Sequence, residues 1–102
     1  MQTLMADLYL TRDTERGLER TLLWLVSEVG ELADLVVKHY PLLGNKGPVT
    51  PESPVGQELA DCLAWLLSVA NLLGVDLGQA LLAKYPLTCS KCHQNPCQCL
   101  PK

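Results

Sequence analysis

Glu28 and Glu31 stand three residues apart, and so do Glu58 and Asp61. On a helix, positions i and i+3 share one face, about 60° apart around the axis and about 4.5 Å along it. Each pair therefore aims two carboxylates the same way from a segment otherwise rich in Leu, Val and Ala. Like charges at that spacing weaken a helix, so two such pairs need a compensating charge. A divalent cation is the simplest one. Ligands that are all oxygen, with no histidine among them, select a hard ion, Mg²⁺ or Mn²⁺. Acidic pairs are also common on helices as plain solvated charge; against that stands the apolar setting of both pairs. A second constellation closes the chain: Cys89-x-x-Cys92-x4-Cys97-x-Cys99, with His93 beside it. Tetrahedral zinc takes Cys₄ or Cys₃His sets, and CxxC is a recurrent half-site. A reduced flexible tail and disulfides formed on oxidation are the alternatives. Cys62, directly after Asp61, reads as a small buried hydrophobe rather than a nucleophile.

The elements that must position these groups are helices. Leu4, Met5, Leu8 and Tyr9 form a short apolar stripe within residues 2–11, and Arg12 to Gly17 then reads as a charged, solvated break. Arg12 or Arg16 has the alternative role of meeting a phosphate oxygen. Residues 18–40 predict a long helix with Leu22, Leu25, Val29, Leu32 and Val36 as its apolar stripe. Gly30 inside it invites close approach of a backbone or ligand, and Tyr40-Pro41 ends it. Residues 41–53 read as a Pro- and Gly-punctuated loop, either a flap over a site or a plain insertion. Ser53 then caps a second long helix that starts with Pro54 and runs to Leu73. It is apolar nearly all round, which implies burial on two sides. Gly74 ends it, and Asp76 caps a short fourth helix, Leu77 to Tyr85. The fold class is all-α: a small bundle of about four helices, residues 1–86, followed by a cysteine-rich tail, residues 87–102.

Composition excludes several roles. A chain of 102 residues makes one domain, and 48% hydrophobic residues are ample for a core. Apolar surface left over on a chain this small favours a homo-oligomer. A net charge of −3 argues against a nucleic-acid-binding surface. The longest apolar run, Cys62 to Val75, is too short and too interrupted to span a bilayer. With no secretory pattern at the N-terminus, the expected setting is cytoplasmic.

A loop between the two long helices predicts antiparallel packing. That register puts Glu28 opposite Asp61, Glu31 opposite Glu58, and Trp24 opposite Trp65. Four carboxylates then face one another and must protonate or recruit cations. The two tryptophans either pack as core aromatics or wall a pocket that takes a flat ring such as a nucleobase.

Glu28-x-x-Glu31, a gap of 26 residues and Glu58-x-x-Asp61 resemble the ExxE…ExxD signature of the MazG-like all-α nucleoside triphosphate pyrophosphohydrolases. The flanking text is also similar: Leu25 to Ala33 resembles the family's first metal helix, Glu58 to Leu66 its second, and Ala70 to Leu77 the join into the next. The resemblance covers roughly residues 18–85. It implies a dimeric or tetrameric helical bundle with Mg²⁺ on Glu28, Glu31, Glu58 and Asp61, hydrolysing (d)NTPs to NMP and pyrophosphate. Glu28 or Glu31 would then be the proton acceptor. Triphosphate also requires cations from the protein. Lys38 lies on about the same face as the acids, and Lys84 would reach in from the fourth helix or from a partner subunit; each reads equally as a solvated lysine. Many relatives carry an Asn two turns after the last acid, where this chain has Ser68. Asn71 either does similar work or bonds a neighbouring backbone. A second reading, from a different class, is a non-catalytic helical interaction module with a structural zinc knuckle.

Overall fold

In a computed structural model, which describes residues 1–39 and 50–101, four helices follow one another with no strand among the described residues. They are α1 (Gln2–Arg16), α2 (Leu18–His39), α3 (Pro54–Leu73) and α4 (Leu77–Lys84). The end expected for α2 at Tyr40-Pro41, and most of the 41–53 loop, lie outside the described residues.

Local chemistry sets the helix ends. The Ser53 hydroxyl accepts from the Gly56 N–H at 3.0 Å, and Pro54 occupies the first turn, where no N–H is needed. Gly74 closes α3 in the left-handed region (φ 70°), with its N–H returned to the α3 carbonyls. The Asp76 side chain caps α4 through the Gln79 N–H at 3.0 Å. Between α3 and α4 the chain turns by 94°. No single helix among the described residues is long and apolar enough to cross a membrane.

The first break is shorter than the sequence suggested. Helix α1 runs through the charged stretch to Arg16, and the chain turns only at Gly17, whose φ of 90° suits glycine. Asp13 and Arg16 are neighbours on one face and bond at 2.8 Å through Asp13 Oδ1; Asp13 is only 2% exposed, and its other oxygen, Oδ2, is buried without a partner. The Arg16 guanidinium also donates to the Thr21 hydroxyl (3.3 Å), which donates to the Gly17 carbonyl (2.8 Å). That network locks α1 onto the start of α2.

Helix α3 is the centre of the bundle. It packs on α2 along one side and on α1 along another, while Leu59, Leu63, Leu66 and Leu73 on it stay exposed. Its buried residues are Val55, Leu67, Ser68, Val69 and Ala70. The N-terminus of α1 is tied to the far end of α3 through Gln2. Its carbonyl accepts from the Asn71 amide (3.1 Å), and its side chain accepts from the Leu77 N–H (2.9 Å) and donates to the Val75 carbonyl (2.5 Å). Helix α2 behaves differently from its expected stripe. Thr21, Leu25, Glu28, Leu32, Leu35 and Val36 are its covered or half-covered residues, whereas Leu22, Val26, Val29 and Ala33 are exposed.

Candidate metal and nucleotide site

The inward face of α2 presents Glu28 half-buried, with Glu31 one turn further on and exposed. Helix α3 presents Glu58, half-buried, and Asp61, exposed. Carboxylate oxygens of Glu28, Glu31 and Glu58 lie within 4.8 Å of one another. Glu58 reaches Glu28 as well as Glu31, a diagonal added to the one-to-one pairing that residue counting suggests. The long Glu side chains cross the short rise between successive turns. Asp61, one methylene shorter, stays out of that triangle and lines the adjoining cavity instead.

The electrostatics follow from this crowding. Glu28 has its pKa raised, first by the hydrogen bond with Glu58, then by burial and by the Glu58 and Asp61 charges; a hydrogen bond with Glu31 pulls the other way. Two carboxylates that close cannot both ionise freely. One oxygen of Glu58, Oε1, is buried and has no hydrogen-bond partner. Three oxygen donors on a common focus, one of them left without a proton donor, fit a hard divalent cation. Cys62 sits against the same cluster. Burial, then the charges of Glu58, Glu28, Asp61 and Glu31, push its thiol pKa up, which keeps it protonated and unreactive.

Beside Asp61 lies a cavity of about 290 Å³, with Tyr9, Arg12, Asp13 and Arg16 of α1 on one side and Ala64, Trp65 and Ser68 of α3 on the other. Trp24 and Trp65 stack on each other, with centroids 6.0 Å apart and planes 16° from parallel. The Arg16 guanidinium lies 4.8 Å from the Trp65 ring centroid. The tryptophans thus pack together, and Trp65 also walls the cavity, while Trp24 remains 52% exposed.

Two lysines suggested by the sequence are engaged elsewhere. Lys38 pairs with Asp34 at 3.1 Å on the open surface, and Lys84 lies over the Tyr85 ring. Asn71 bonds the Gln2 backbone, and Ser68 lines the cavity. Arg12 and Arg16, for which the sequence offered a phosphate contact as the alternative to a solvated break, line the cavity beside Asp61. Their charge was visible in the sequence, but residues 12–17 read as a break between helices and not as a cavity wall. Gly30 meets no atom within 4 Å of a notional Cβ, so nothing among the described residues uses the approach it permits.

The described arrangement is a carboxylate cluster flanked by arginines and aromatics, all on helices. Comparison with known families matches a MazG nucleotide pyrophosphohydrolase domain to residues 16–93. The chain belongs to the MazG family. The match takes in α2, α3 and α4, hence all four acids, but it starts at the last residue of α1. Most of the α1 wall of the cavity therefore lies outside what the MazG domain describes. No curated protein and no solved structure matches the chain.

At the other end the match stops at His93, after Cys89 and Cys92 and before Cys97 and Cys99. The four sulfurs form a second group with one donor atom each, all within 4.8 Å of one another; His93 is not part of it. Two of the thiols are pushed in opposite directions. Cys89 is lowered to about 6 by the backbone N–H groups of Cys92 and Lys91, and Cys99 is raised to about 12 by hydrogen bonds with Cys97, Cys92 and Cys89.

Proposed function

We propose that this MazG-family chain is a Mg²⁺-dependent (or Mn²⁺-dependent) nucleoside triphosphate pyrophosphohydrolase. It would convert (d)NTP and water to (d)NMP and pyrophosphate as cytoplasmic housekeeping of the nucleotide pool. The observation that carries this reading is the convergence of Glu28, Glu31 and Glu58 within 4.8 Å, with Glu58 Oε1 buried and unpartnered.

Glu28, Glu31 and Glu58 would hold the cation, with Asp61 as the fourth acid from the next turn of α3. The bound cation supplies charge neutralisation at the phosphate oxygens and lowers the pKa of a water. The chain's own groups do the rest. Glu28, whose basicity is raised by its neighbour Glu58, accepts the proton of the attacking water; Glu31 is the other candidate. The water oxygen bonds to phosphorus as the bridging α–β anhydride bond breaks, and pyrophosphate leaves. Arg12 has no ion-pair partner among the described residues and lines the cavity, which suits a phosphate oxygen. Trp24, half exposed and beside Arg20, offers a ring face for a base.

The test is direct. Purified protein is incubated with each (d)NTP and Mg²⁺, and products are separated by anion exchange. The expected result is NMP and pyrophosphate, no product with Glu58→Ala, and a loss on the order of a hundredfold or more with Glu28→Gln. Wild type inert toward every nucleotide, or Glu58→Ala as active as wild type, would overturn the reading.

A further inference from the structure

Residues 86–101 contain no helix or strand and not one buried side chain. A hydrophobic core therefore does not fix their conformation, yet they bring four sulfurs to one point. Cys89 and Cys99 are 3.8 Å apart, Cys92 and Cys97 3.9 Å, and Cys89 and Cys97 3.5 Å. Four Zn–S bonds of about 2.3 Å place sulfurs along tetrahedron edges of about 3.8 Å. These three separations lie close to that edge, and the other three fall within 4.8 Å. They are far longer than a disulfide bond of about 2.05 Å, and all four cysteines are free.

The backbone around the sulfurs is arranged for negative charge. The Lys91 N–H donates to Cys89 Sγ (3.4 Å), the Gln98 N–H to Cys92 Sγ (3.3 Å) and the Cys99 N–H to Cys97 Sγ (3.3 Å). The CxxC half is closed into a turn by two bonds, His93 N–H to the Cys89 carbonyl (3.0 Å) and Cys89 N–H to the Gln94 carbonyl (2.9 Å). The Asn95 side chain ties that turn to the Leu87 carbonyl at 3.0 Å. His93, in the left-handed region at φ 61°, turns the chain rather than ligating.

From this geometry we propose that Cys89, Cys92, Cys97 and Cys99 form a closed tetrahedral zinc site that folds the C-terminal segment. Four thiolates fill the coordination sphere and leave no position for water, so the metal is structural. Binding releases the remaining thiol protons to solvent and couples the order of the tail to metal occupancy. Soft sulfur and hard oxygen donors keep this ion and that of the acid cluster distinct. Half of the ligand set lies beyond the family match, so the site rests on this chain's own residues.

The full-length chain, purified without chelator, is expected to carry about one equivalent of zinc. After demetallation, Co²⁺ titration should give the strong d–d and thiolate charge-transfer absorption of a tetrahedral sulfur site, bleached by added Zn²⁺. Cys97→Ser/Cys99→Ser should lose that spectrum, and Glu28→Gln/Glu58→Gln should keep it. Far-ultraviolet circular dichroism of each variant checks that the helices persist. Trypsin should cut after Lys91 faster in the zinc-free chain than in the loaded one. A weak octahedral cobalt spectrum, an unchanged spectrum in Cys97→Ser/Cys99→Ser, or less than about half an equivalent of zinc together with no cobalt absorption would overturn the proposal.

Discussion

Glu28 is held against a second carboxylate, and the consequence can be measured without any substrate. Its folded-state pKa lies above the ordinary value of 4.5, chiefly through Glu58. The folded protein thus binds this proton more tightly than the unfolded chain does. The stabilisation is complete below the ordinary value and is lost as pH rises through the raised one. At neutral pH the ionised pair opposes folding. Glu28→Gln is therefore expected to raise the melting temperature at neutral pH when no divalent cation is present. The gain should vanish once the pH falls below about 4.5. Mg²⁺ should narrow it at neutral pH by stabilising wild type alone. Thermal unfolding at two pH values, with and without Mg²⁺, checks this; a wild type at least as stable as the variant at neutral pH without cation would refute it. Side-chain spacing made the acids legible in the sequence, because a three-residue interval on a helix has one geometry. It did not reveal that Glu58 would cross to Glu28, which depends on side-chain length and on the approach of the two helices. Nor did it reveal Asp13. A charged residue in a charged run reads as surface, and only its bond to Arg16 at 2.8 Å makes its burial tolerable.

Helix boundaries were the most legible feature where a cap defined them. Ser53-Pro54, Gly74 and Asp76 each announce a boundary through a local hydrogen bond, and α3 begins and ends where they place it. The end of α1 was not so marked. Arg12 to Arg16 carries no breaker before Gly17, and polar side chains do not by themselves stop a helix. The start of α3 also contains a packing constraint that no motif displays. A Cβ on Gly56 would lie 2.5 Å from the Pro51 carbonyl oxygen and 2.7 Å from that of Thr50. Both are backbone atoms of the turn that carries Ser53, whose hydroxyl donates to the Thr50 carbonyl at 2.7 Å. Gly56→Ala must push that turn away and weaken the cap. The expected loss is about 1–3 kcal/mol, read from the midpoint of urea unfolding. A loss below about 0.5 kcal/mol, the scale of an ordinary surface change, would mean that the turn yields freely.

At the scale of the molecule, the chain leaves much apolar surface open. Its accessible surface is 7915 Å², against about 5,700 Å² for a compact monomer of this mass. Its radius of gyration is 16.3 Å, against about 13 Å for a compact domain of this length. The surplus is patterned. Leu18, Leu22, Val26 and Val29 recur at three- and four-residue steps along the open side of α2, with Val37 eight residues further on, and Leu59, Leu63 and Leu66 do so on α3, with Leu73 seven residues further on. Two helices with apolar seams of this period suit the halves of a larger bundle, whose complement a second copy of the chain would supply. The sequence showed the surplus but not its place, because the periodicity of α2 fitted a core stripe equally well. Only the packed structure separates the covered positions from the open ones. The assembly expected is therefore a homodimer or homotetramer. Val26 is 61% exposed in the single chain, so Val26→Glu should cost a monomer little and an interface a great deal. Sedimentation velocity is expected to show wild type as a dimer or tetramer and Val26→Glu shifted to monomer, with a lowered melting temperature. Leu100→Glu, a change at a position 91% exposed in the tail, should leave the mass unchanged. A monomeric wild type, or a Val26→Glu variant that sediments as wild type does, would place the seam outside any interface between copies.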